Sequence, residues 1–93
     1  MHIALLSLSF HLPGCASLKE KRGRLRGLKD RFGKIANLAV SEAGNHDKHQ
    51  SSQWLFVALA QEKSHVDQLF AQVETFANSE LDAIITQVQR EWL

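Results

Sequence analysis

The densest chemistry in this sequence is a run of cations. Residues 19–34 carry eight Lys or Arg (Lys19, Lys21, Arg22, Arg24, Arg26, Lys29, Arg31 and Lys34) against only Glu20 and Asp30. That segment is +6, while the rest of the chain, with three cations and eight anions, is −5. The formal total of +1 therefore hides a local positive field. Clustered guanidinium and ammonium groups neutralise phosphates and release counterions, which gives salt-sensitive, sequence-tolerant binding. Lys19, Lys21, Arg22, Arg24, Arg26 and Arg31 are the expected phosphate contacts. The competing reading is a solvated helix face with no ligand.

Three weaker constellations carry other chemistries. Ser52-Gln53-Trp54-Leu55-Phe56-Val57-Ala58-Leu59 partly echoes the strand with which RNA-recognition motifs stack bases. It lacks the basic first position, the Gly and the final aromatic, so core packing of Trp54 and Phe56 is the simpler expectation. His46-Asp47-Lys48-His49 offers three metal-ligand types in one loop without a sure fourth ligand, and a polar hairpin loop explains it as well. Cys15 precedes a helix start among basic residues, a setting that favours a reactive thiolate, with His11 as a conceivable base. No orienting third residue is evident, so an enzyme is disfavoured. No nucleotide fingerprint is present, and no catalytic residue, metal or cofactor is assigned.

These groups must be positioned by ordinary secondary structure. Residues 2–12 alternate, with Ala4, Leu6, Leu8, Phe10 and Leu12 on one side, which predicts a strand ended by Pro13-Gly14. Ser17-Leu18-Lys19-Glu20 fits a capping box. The helix that follows places Leu18, Leu25, Leu28 and Phe32 within about 80° of arc and should close on a left-handed Gly33. Gly23 and Gly27 are expected on its outward side, each costing about 1 kcal/mol relative to Ala, as if a partner came close there. Residues 35–43 and 52–60 predict two more strands around a loop at 44–51. Ser64, with Asp67 completing a weaker box, opens a second helix whose stripe is Val66, Leu69, Phe70, Val73, Phe76 and Ala77. Residues 82–92 read as a last strand.

The order β-α-β-β-α-β with two amphipathic helices predicts an α+β ferredoxin-like sandwich: a four-stranded antiparallel sheet with both helices on one face. A chain of 93 residues is expected to be one such domain over residues 1–93. Leu, Ile, Val and Phe make up 29% of it, too much for intrinsic disorder. Ile3 and Leu5 with Leu55, Val57 and Leu59 would then form an apolar patch on the uncovered sheet face, and a homodimer is the expected way to bury it. Cys15 is the single cysteine, no apolar run is long enough for a membrane, and Met1–Leu6 reads as strand rather than signal peptide, so a cytoplasmic location is expected.

The run His11-Leu12-Pro13-Gly14-Cys15-Ala16-Ser17-Leu18-Lys19-Glu20-Lys21-Arg22 resembles the hallmark of the YlxP-like family of small bacterial proteins, a domain of unknown function. The tail Arg90-Glu91-Trp92-Leu93 and the placement of Glu42, Asp47 and Gln50 resemble it too. His49 stands where that family often has Trp. The resemblance implies the ferredoxin-like fold and no settled activity. Members are often encoded near translation-initiation and ribosome-maturation factors, which implies association with RNA or a ribosomal particle. The alternative is a homodimeric protein-interaction module with no nucleic-acid role.

Overall fold

The computed structural model describes residues 1–93. In chain order it contains β1 (His2–His11), α1 (Leu18–Phe32), β2 (Leu38–Gly44), β3 (Ser51–Ala60), α2 (Lys63–Glu80) and β4 (Ile84–Trp92). All strand pairs are antiparallel and the sheet order is β2-β3-β1-β4, so the fold is the ferredoxin-like sandwich.

The alternation in β1 drives one row into the core. Ala4, Leu6, Leu8 and Phe10 meet Ala58, Phe56, Trp54 and Ser52 across the β1–β3 ladder, on the side that the helices cover. Leu25, Leu28 and Phe32 of α1 and Val66, Phe70, Val73 and Ala77 of α2 close this layer. Each large side chain hidden this way stabilises the fold by roughly 1.5–3 kcal/mol. Trp54 is 8% exposed, Phe56 is fully buried and both lie on the helix-covered side, so stacking of bases on the open sheet face in the manner of an RNA-recognition motif ends here.

Several local signals resolved differently from expectation. Ser17 caps α1 by accepting from the Glu20 backbone N–H at 3.0 Å, but the Glu20 carboxylate pairs with Arg24 rather than turning back, so only half the box forms. Gly33 keeps right-handed backbone angles and its N–H donates to Lys29 O, which continues the helical pattern instead of reversing it. The second helix starts at Lys63 behind Glu62, which makes no side-chain cap, and Asp67 accepts from Arg90 of β4 instead of completing a box with Ser64. Residues 35–37 are turn rather than strand, and Gly14 takes the positive φ that the turn after β1 requires.

The uncovered sheet face carries Ile3, Leu5, Leu55 and Val57, with Leu59 beside Ile3. Ile3 is 38% and Leu59 42% exposed. Ser7, Gln53, Gln89 and Glu91 border this patch, with the Gln53 side-chain amide donating to Ser7 Oγ at 3.1 Å. No helix is long and apolar enough to cross a membrane.

Candidate nucleic-acid interface

The cations of α1 fall into three groups once the helix is docked. The first is Lys21, which a helical repeat of about 100° per residue puts inside the apolar arc rather than beside it. Lys21 is 2% exposed. Its ammonium donates to the carbonyls of Asn45 (2.7 Å) and Lys48 (2.8 Å) in the β2–β3 connection and of Ser51 (3.1 Å) at the start of β3, and lies 3.3 Å from Glu42 Oε2. The same Glu42 oxygen accepts from Ser52 Oγ at 2.6 Å, and Ser52 Oγ accepts from Trp54 Nε1 at 3.0 Å. A buried ammonium is tolerable only when its donors and charge are answered, and these partners answer them. Lys21 is therefore corrected from a phosphate contact to an internal clamp on the loop at 45–50. Ser52 is wholly buried at the centre of this network, while Glu42 at its edge is partly exposed.

The second group faces α2. Arg24 donates to Pro13 O at 2.9 Å and to Glu20 Oε2 at 2.7 Å, and its Nε is 3.4 Å from Asp82 Oδ2. Its side chain is only 17% exposed. The Arg31 guanidinium sits 5.2 Å from the centre of the Phe76 ring and 5.9 Å from that of Phe32, at cation–π distance. Both residues bridge α1 to its surroundings. Gly27 lies on this flank too. A Cβ there would come 2.8 Å from Phe76 Cζ, so the missing side chain makes room for α2 and not for an outside partner. Gly23, with nothing within 4 Å, does lie outward.

The third group is free. Lys19, Arg22, Arg26 and Lys29 are exposed, and no carboxylate lies within 4.0 Å of their charged nitrogens. Arg22, Arg26 and Lys29 recur at i, i+4 and i+7, a line about 10 Å long down one flank. They form one wall of a groove of about 510 Å³ between α1 and β2. Asp30 stands in the same wall, Leu25, Val40 and Trp54 contribute apolar surface, and Glu42 closes the side opposite the cations. Lys29 was not among the expected contacts. Its place in the i, i+4, i+7 line was readable once the flank of α1 that meets α2 was known.

The remaining candidates separate. Cys15 is buried, with its Sγ 3.5 Å from Ser17 O as a weak donor, while His11 is exposed. His46 and His49 are exposed, His46 Nδ1 is 4.0 Å from Glu42 Oε1, and no three His, Cys, Asp or Glu side chains gather as a ligand set.

No curated protein matches the chain. Among solved structures, one described as "Structural Genomics, protein YJCS" is similar with a TM-score of 0.60, at 8% identity, over 96% of each chain, a likeness of fold alone. Residues 3–90 match the family described as "Protein of unknown function (DUF503)". That match spans nearly the whole chain and agrees with the resemblance carried by the run from His11 to Arg22, so the chain belongs to the DUF503 family.

Proposed function

We propose that this protein is a non-catalytic RNA-associated factor, bound to RNA or a ribosomal particle through Lys19, Arg22, Arg26 and Lys29. One observation carries the reading: four neighbouring cations on one flank of α1 have no carboxylate partner, whereas Lys21 and Arg24 are neutralised internally. Unpaired cations are free to neutralise RNA phosphates, and release of the counterions condensed on those phosphates drives association. A cytoplasmic site of action is part of the same proposal.

Charge reversal separates the flanks. Replacing Arg22, Arg26 and Lys29 by Glu abolishes retention on RNA at low salt. For the native protein on single-stranded RNA, these three contacts contribute about 2 to the slope of log affinity against log salt. Reversing Arg24 and Arg31 instead leaves RNA retention close to native and lowers stability. Equal loss of binding from the two sets of reversals removes the proposal.

A second reading, compatible with the first, is a homodimer through the uncovered sheet face. It is favoured by the contiguous half-exposed patch of Ile3, Leu5, Leu55, Val57 and Leu59. Sedimentation of the native protein should give a dimer that Leu5→Asp with Val57→Asp converts to monomer. A native monomer at the highest workable concentration disposes of this second reading.

A further inference from the structure

The groove beside the free cations has a chemistry that a plain basic patch lacks. A basic flank alone accepts any phosphate backbone, single-stranded or duplex. Here a wall of three cations, Arg22, Arg26 and Lys29, with one anion, Asp30, stands over an apolar floor of Val40 and the edges of Leu25 and Trp54. The groove, of about 510 Å³, is open to solvent along one side, so a strand can lie across it with one base turned in. Glu42 adds an oriented acceptor. Its Oε2 is occupied by Ser52 and Lys21, which fixes the carboxylate, while Oε1 has no hydrogen-bond partner, His46 Nδ1 being 4.0 Å away. Phosphate-binding cations, an apolar floor and a fixed acceptor in one cleft match the three parts of a nucleotide: its phosphate, its base plane and an amino edge.

We infer that the α1–β2 groove receives one unpaired nucleotide of a single-stranded RNA, with flanking phosphates on Arg22, Arg26 and Lys29 and the base against Val40 and the exposed edges of Leu25 and Trp54. This deepens the RNA reading above and rests on it. Along the helix axis those cations are spaced by about 6 and 4.5 Å, so one strand running beside α1 can meet all three. In a duplex the bases are paired and stacked inside and cannot enter a cleft between a helix and a strand, whereas an unpaired base can be splayed out into it. Glu42 Oε1 then accepts from an exocyclic amine, which favours cytosine or adenine over uracil.

The test uses the full chain with Trp92→Phe, which leaves Trp54 as the single tryptophan reporter. Trp92 is 45% exposed, so its replacement is a mild change. A short cytosine-rich single strand is expected to bind about tenfold tighter than a duplex of equal length and to change Trp54 emission, while the duplex leaves that emission unchanged. Val40→Trp, which fills the groove without altering charge, is expected to erase the single-strand preference and keep the weaker duplex binding. Equal affinity for both RNAs with silent Trp54 emission overturns the groove inference and leaves the basic-flank reading standing. Failure of both RNAs to bind overturns both readings. Polyglutamate binding as tightly as the single strand overturns it in favour of an acidic protein partner.

Discussion

The two flanks of α1 carry similar numbers of arginines and do opposite things. Toward α2, Arg24 is held by Pro13, Glu20 and Asp82, and Arg31 covers Phe76. Toward β2, Arg22 and Arg26, joined by Lys29, meet no carboxylate and border an open groove. Counting cations along the chain therefore overstates the interface. What reaches a ligand is charge left unanswered after packing, and here packing answers one side of a single helix. Between the flanks sits Lys21, whose charge is turned inward altogether.

Lys21 gives the largest expected effect. Lys21→Ala leaves Glu42 without its counter-charge and removes one donor from the carbonyls of Asn45, Lys48 and Ser51, and removal of one partner from a buried pair costs about 3–5 kcal/mol. Small domains have only about 5–15 kcal/mol in total, so the urea midpoint should fall sharply. A fall of under about 1 kcal/mol, typical of an exposed pair, would mean that Lys21 belongs with the free cations after all.

The glycines provide a smaller and finer test of the same division. Gly23→Ala faces open space and should gain about 1 kcal/mol in thermal or urea unfolding, the helix-propensity difference. Gly27→Ala gains the same propensity but pushes the Phe76 ring from its edge-on contact with Phe32, at 5.5 Å between centroids, and from beneath Arg31. It should end less stable than Gly23→Ala. Identical gains at both positions would show that α2 does not press on this flank.

Much of the architecture could be read along the chain because it depends on local periodicity. The alternation from Ala4 to Phe10 and the stripe from Val66 to Ala77 specify which side of each element is buried, and burial of that side fixes the layers. Helix caps were less legible. Ser17 satisfied the Glu20 N–H as its type suggests, yet the carboxylates of Glu20 and Asp67 were drawn to Arg24 and Arg90, groups that only the folded chain brings near. The candidate interface was half legible. Position 21 was already inside the apolar arc of its helix, which is a readable warning, but its loop partners lie 24 to 30 residues away.

The sequence by itself determined a strongly basic helix, the alternation of the strands and the order of elements, because residue type and spacing act within a few turns or residues. Tertiary structure alone decided which cations remain available. Ion pairing and desolvation depend on distance in space, and it is the docking of α1 against β2, α2 and the loop at 45–50 that buries Lys21, occupies Arg24 and leaves Arg22, Arg26 and Lys29 facing a cleft.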